Sequence, residues 1–336
     1  MIDVSENKLQ GRLPRSLANC VMLEFIVLSD NQFNDVFPFW LGNLPELKLL
    51  AMRHNGFYGV IGKPKKNLCF PELRILDLSH NNFSGKFPFE FIFSGNAMRG
   101  ITASYSTYME TYSNLKVSAY VQPFTYEYSN TMTNKGVDRY YEKVQEDLGV
   151  VDISSNKFEG TIPEFMWKLK GLRFLNISHN IFTGYIPSIL GNLALLESLD
   201  LSQNKLCGGI PHQFTQLTFL AEFNVSHNNL TGPIPHERQF TTFDHTSYEG
   251  NPGLCGDALP KKCGINPKTP LPPTATFEEN DSDFGIEVDW KFVLAGFASG
   301  LVVGVVLADT VITRRHEWII EIVAKLIKVL RRRPIS

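Results

Sequence analysis

The chain has 336 residues, 43% of them apolar, and a formal net charge of −2. That is enough apolar matter for one to three domains, and the balance excludes a nucleic-acid binder held by bulk positive charge. The charge is unevenly placed: residues 277–290 carry Glu278, Glu279, Asp281, Asp283, Glu287 and Asp289, whereas 314–336 carry Arg314, Arg315, Lys325, Lys328, Arg331, Arg332 and Arg333.

From the first residues onward a unit recurs, L-x-x-L-x-L-x-x-N-x-F/L-x-G-x-I-P. The opening IDVSENKLQGRLP fits it with Ile2 and Val4 as strand apolars. The lead position of that coil would precede Met1, so the opening is expected to cut through a repeat. Lead leucines follow at Leu23, Leu47 and Leu73, spaced 24 and then 26 residues. They resume at Leu148, Leu172, Leu196 and Leu220, spaced 24 each time. Alternating apolars such as Leu199 and Leu201 predict a short strand, the asparagine turns the chain, and G-x-I-P makes a second extended corner. One such coil cannot bury its own apolar face, so coils must stack. The fold class expected is α/β, a right-handed leucine-rich-repeat solenoid whose G-x-I-P corner resembles the plant extracellular subtype.

The repeats fall at 1–88 and 148–236. Between them the frame disappears, and residues 89–147 are rich in Tyr, Ser, Thr and Met. The alternation of Tyr120, Gln122, Phe124, Tyr126 and Tyr128 suggests strands. A disordered linker is the alternative, against which the tyrosines argue, because disordered segments are poor in aromatics. We expect a folded island over the solenoid surface.

Residues 237–264 are expected to cap the last coil, with Cys255 and Cys263 joined in an oxidising compartment. Cys20, Cys69 and Cys207 lie in different coils and are expected to be packed or free. Next comes a Pro-rich, acidic spacer at 265–290. The apolar run Phe292–Ile312, holding the single charge Asp309, is long enough to span a bilayer, and a membrane helix is expected at 291–313. The bases that follow place the tail, 314–336, in the cytoplasm and the repeats outside. Within the run Gly296, Gly300 and Gly304 line one helix face and permit close approach of a second helix. Residues 318–330 suit an amphipathic helix lying on the membrane surface.

Chemistry is sparse. His54, His80, His179 and His227 share one repeat position, but other coils place Glu6, Asp30, Ser155 or Gln203 there, so a solvated position is expected rather than a metal ladder. Asp77, Asp152 and Asp200, interrupted by Asn176 and Asn224, read as polarity of an open strand face. An open face offers no cleft that would separate two carboxylate pKa values. No nucleophile triad, H-E-x-x-H motif or kinase motif occurs, and neither a catalytic activity nor a cofactor is expected. Asn82, Asn176, Asn224, Asn229 and Asn280 begin N-x-S/T sequons. Glu24, Lys48, Arg53, Arg74 and Arg173, on the strand face, are candidate ligand contacts.

The order of these parts resembles the C-terminal portion of plant leucine-rich-repeat receptor-like proteins, the class containing the tomato Cf resistance proteins. The G-x-I-P repeats, the island followed by four repeats, the GNPGLCG cap, the acidic run, the glycine-spaced span and the basic tail carry the resemblance. So does Tyr126, eight residues and then Lys135-Gly136 in the island. It implies a plasma-membrane receptor component, exposed outside the cell and probing for an extracellular protein or peptide ligand, in plant defence. Without a kinase, it would pair with an adaptor receptor kinase through Gly296, Gly300 and Gly304. A co-receptor kinase would join near Tyr126, Lys135, Gly136 and the last repeats. Family members also carry a signal peptide, an N-terminal cap and many more repeats. Two other readings stand beside it: a secreted inhibitor or binding module of the cell wall, and a shortened receptor copy without ligand recognition.

Overall fold

The computed structural model describes residues 1–62, 70–100, 108–117, 120–128, 130–134 and 137–264. Eight coils stack with one short strand each: Ile2–Asp3, Phe25–Val27, Leu49–Ala51, Ile75–Asp77, Gly149–Asp152, Leu172–Asn176, Ser198–Asp200 and Glu222–Asn224. These strands pair in parallel and in chain order, forming one eight-stranded sheet. A second sheet runs along the flank. It joins the N-x-F/L-x-G segments of the third to eighth coils and ends on Gly253–Cys255. Opposite the main sheet the connections are five-residue 3-10 helices, such as Glu164–Lys168 and Ser188–Asn192, and one helical turn, Phe89–Ile92. The proline of G-x-I-P immediately precedes them (Pro88, Pro163, Pro187, Pro211), where its missing N–H costs no ladder bond.

The repeat asparagine adds side-chain bonds between coils to those of the backbone ladders. The Nδ2 of Asn180 donates to the carbonyls of Ile177 at 3.2 Å and Ser178 at 3.0 Å in its own coil, and of Ile153 at 3.0 Å in the coil before. Its Oδ1 accepts from the Phe158 amide at 2.9 Å. Asn31, Asn55, Asn81, Asn156, Asn204 and Asn228 repeat this pattern. One side chain thereby satisfies backbone groups that a tight turn would otherwise bury unpaired. Just before each asparagine the backbone is left-handed, from φ 49° at His54 to 56° at Asp30, with His80, Ser155, His179, Gln203 and His227 in the same state. Polar, unbranched residues bear that conformation more readily than β-branched ones, which accounts for the mixed polar chemistry of this position.

The interior repeats with equal regularity. Phe33, Phe57, Phe83 and Phe158 stack in a file with ring centroids 6.2, 6.2 and 6.1 Å apart. Phe182, Leu206, Leu230 and Leu254 continue it, all buried. Between Phe83 and Phe158 the file crosses the place where the island leaves the chain. The main sheet also crosses there, with Ile75, Leu76 and Asp77 paired to Val150, Val151 and Asp152. The insertion thus leaves the stacking untouched.

Cys255 and Cys263 form a disulfide, and Cys20 and Cys207 are free thiols, the first exposed and the second half-buried. The cap is itself a shortened coil. Asn251 holds the repeat position, its Oδ1 accepting from Leu230 N at 3.0 Å and its Nδ2 donating to Val225 O at 2.9 Å. Gly250 takes the left-handed position at φ 72°, and a Cβ there would run into the His227 ring. Cys69 and the run Phe292–Ile312 lie outside the described residues. Among the described residues no helix is long and apolar enough to cross a membrane.

Candidate ligand-binding surface

Side chains of a strand alternate between faces. In each coil the middle strand residue enters the core and its neighbours face outward onto the main sheet. The outward pairs are Phe25 and Val27, Leu49 and Ala51, then Ile75 and Asp77, Val150 and Asp152, Phe174 and Asn176. In the last two coils they become Ser198 and Asp200, Glu222 and Asn224. An apolar outer face at one end thus gives way to a polar one.

The island covers the apolar end. Its strands Glu110–Val117 and Tyr120–Glu127 form one antiparallel pair, and Asn130–Asn134 and Val137–Tyr141 a second. At its base three segments are tied in a ring: Met109 N donates to Val144 O at 2.7 Å, Val144 N to Tyr128 O at 2.9 Å, and Tyr128 N to Met109 O at 3.2 Å. The side chains of Met109, Tyr128 and Val144 pack onto Phe25, Val27, Leu49, Ala51, Ile75, Val150 and Phe174, a second apolar core apart from that of the solenoid. Gly149 makes the return to the solenoid possible, because a Cβ there would overlap the carbonyl of Gly171.

This cover corrects the expectation of an open polar strand face. Asp77 and Asp152 are each only 2% exposed. Burial raises the Asp77 carboxyl, and Asp152 is pushed up to about 8 by burial and by the charge of Asp77 beside it. Hydrogen bonds from Ser79 to Asp77, and from Ser154 and Asn176 to Asp152, act in the opposite direction.

Of the charged candidates, Arg53 is buried, its Nε 3.6 Å from Asp30 Oδ2, rather than an open contact. Glu24, Lys48, Arg74 and Arg173 are half-buried. Lys48 Nζ pairs with Glu24 at 2.9 Å, and Arg173 bridges Asp147 of the island at 2.6 Å and Glu197 of the seventh coil at 2.7 Å. Beyond Arg173 no island residue among the described ones packs on the outer face. There a polar hollow of about 160 Å³ is lined by Ser198, Asp200, Glu222, Asn224, Thr246 and Ser247.

The sequons divide by face. Asn82 and Asn229 are exposed on flank strands, whereas Asn176 and Asn224 are half-buried at main-strand ends, each Oδ1 accepting from the amide of the serine two residues on. Tyr126 lies in the strand Tyr120–Glu127. Lys135, Gly136, Asn280, Gly296, Gly300 and Gly304 lie outside the described residues. Sequence reasoning overlooked Met109 and Val144, and read Tyr128 only as part of a strand alternation. Their signal is indirect: apolar residues at both outward positions of the second and third coils imply that something covers them.

Comparison with known proteins agrees with this architecture. The Leucine Rich Repeat family model matches residues 22–44, 72–94, 171–193 and 195–217. Receptor like protein 24 of Arabidopsis thaliana is 44% identical over 311 residues, which is 92% of this chain and 35% of that protein. Receptor-like protein 34 of the same plant is 45% identical over 321 residues, 94% of this chain and 32% of that protein. The chain therefore spans about a third of the length of these curated relatives. Among solved structures, the ectodomain of the Arabidopsis thaliana membrane receptor kinase GASSHO1/SCHENGEN3, in complex with CASPARIAN STRIP INTEGRITY FACTOR 2, aligns with a TM-score of 0.54 at 28% identity, covering 78% of this chain and 28% of that one. The plant peptide hormone receptor RGFR1, in complex with RGF2, shares the fold at a TM-score of 0.52 and 24% identity, over 76% of this chain and 31% of that one. The chain thus carries leucine-rich repeats and is similar over most of its length to the plant receptor-like proteins.

Proposed function

We propose that this protein is a non-catalytic cell-surface receptor component that binds an extracellular peptide or protein ligand and signals through partner kinases, in plant defence. The observation that carries the reading is an outer strand face half covered by an island and half open and polar, in a chain so similar to receptor-like proteins. A solved relative with the same solenoid holds a partner named CASPARIAN STRIP INTEGRITY FACTOR 2, which supports a ligand of protein or peptide character here. The open strip from Arg173 to the hollow at Asp200 and Glu222 suits a polar ligand segment bearing a basic group. A co-receptor kinase would meet the last coils and the island around Tyr126, Lys135 and Gly136.

In this reading Phe292–Ile312 spans the plasma membrane, with the repeats outside and 314–336 in the cytoplasm. Gly296, Gly300 and Gly304 form the face that meets an adaptor receptor kinase, and Asn82, Asn176, Asn224, Asn229 and Asn280 are the glycan acceptors. Replacing Gly296, Gly300 and Gly304 together by leucine tests the kinase partnership through co-purification from plant membranes. Loss of receptor kinases from the eluate is expected, and undiminished recovery would refute the glycine face. A mass shift on glycosidase treatment of the same sample tests the orientation.

A further inference from the structure

The polar hollow lies where three successive windings of the chain meet: Ser198–Asp200 of the seventh coil, Glu222–Asn224 of the eighth, and Thr246 and Ser247 of the cap. Every residue that lines it belongs to the repeats or the cap. Ser198 and Asp200 face outward from one strand, and Glu222 and Asn224 from the next, in register. The register that sets Asp200 beside Asn224 also sets Asp152 beside Asn176 two coils earlier. There Asn176 Nδ2 donates to Asp152 Oδ2 at 3.1 Å. Asp200 accepts instead from Ser202, its amide at 2.9 Å, and Asn224 is not among its donors.

Two further acceptors turn to the same space. Ser198 is only 9% exposed, yet among the described residues its hydroxyl has no hydrogen-bond partner. Glu222 is half-buried and, among the described residues, meets no cation. The basic groups of this region are engaged elsewhere: Arg173 bridges Asp147 and Glu197, His227 lies by Glu249, and His245 by Asp244. His179, which bears on Asp200, is exposed. Among the described residues no three His, Cys, Asp or Glu side chains are placed to hold a metal ion. Two carboxylates and a hydroxyl suit the three donors of an ammonium or the fork of a guanidinium. The hollow, about 160 Å³, equals roughly five waters, which is room for such a head group.

We propose that this hollow receives one basic side chain of the ligand: Asp200 and Glu222 hold the ammonium or guanidinium of a lysine or arginine, and Ser198 accepts a further hydrogen bond from it. This rests on the receptor reading for the peptide character of the ligand, and adds the class of residue and its contacts. Burial raises the Asp200 carboxyl above its ordinary range, and an entering cation acts against that. Binding therefore releases the proton that Asp200 still holds at acidic pH. Affinity should rise with pH while Asp200 titrates in the free protein, and level off above that range.

The probe is Nα-acetyl-lysine N-methylamide, with the norleucine analogue as its uncharged counterpart. In the isotope-labelled full chain, the amides of Leu199 and Phe223 should shift saturably with the lysine probe, with a Kd on the order of 1–10 mM, and not with norleucine. D200N/E222Q should weaken binding about tenfold or more. E159Q/D257N, which removes two exposed acids elsewhere, should leave it unchanged. Equal weakening in both double variants, shifts that do not saturate, or an equal response to norleucine would overturn the proposal. Tighter saturation by calcium chloride at the same ionic strength would make the hollow a metal site and overturn it too. Asn224 begins a sequon and lines the hollow, so the titration is repeated on N224Q; binding confined to that variant would show a glycan in the hollow and overturn the proposal. Should D200N/E222Q not fold, E222Q, whose carboxylate leaves no described partner unpaired, should still weaken binding about threefold. No kinase takes part, so the hollow can fail while the receptor reading stands, and that reading can fail at co-purification while the hollow still binds.

Discussion

The ring of Tyr128 lies on the ring of Phe25, their planes 13° apart, and through this pair the island rests on the second coil. Both residues are fully buried, one in the insertion and one on the outer face of the main sheet. Replacing Phe25 by serine should weaken this seat by about 3 kcal/mol, the lower range for removing a buried aromatic. The expected sign is faster protease cleavage within residues 108–147 than in the wild type, at an unchanged unfolding midpoint for the solenoid. Equal cleavage rates would show that the stack does not anchor the island.

Asn180 and Asn229 separate the inner from the outer asparagines. Asn180→Ala removes bonds to three carbonyls and one amide in a buried turn. A loss of about 3 kcal/mol in denaturant unfolding is expected, from backbone groups left unpaired. Asn229→Gln, at an exposed position that also removes a sequon, should stay within about 0.5 kcal/mol.

At the cap, Gly250→Ala forces a Cβ into a left-handed backbone and against His227. The backbone alone costs about 1–2 kcal/mol. Pairing it with His227→Ala should recover only the part due to the collision. Full recovery of the thermal midpoint would show that the backbone conformation carries no cost.

The disulfide between Cys255 and Cys263 closes a short loop with a sequence separation of 8. On chain-entropy grounds, replacing both cysteines by serine should cost about 2–3 kcal/mol. The effect should be local to the cap, with amide exchange faster at Leu254 and unchanged at Leu199.

Much of the fold was legible in the sequence because it repeats. The asparagine, the file of Phe83 and Phe158 and the G-x-I-P corner each do the same physical work in every coil, so the period alone exposes them. The island does not repeat, and its contacts join Tyr128 to residues far away in the chain, which no local pattern reports. For the same reason Asp77 and Asp152 read as solvated, since their burial depends on an element outside the repeat. The cap was only half legible. Its cysteines were plain, but Asn251 was hidden as a ninth repeat asparagine because its coil is shortened.

Amide hydrogen exchange of Met109, Tyr128 and Val144 in the intact chain tests the seated island most directly. These three amides close the ring at its base and cover the apolar end of the main sheet. The account predicts strong protection at mildly acidic pH, lost in the Phe25→Ser variant while Asn180 and its neighbours stay protected. Exchange at the rate of an unstructured chain in the wild type would contradict it.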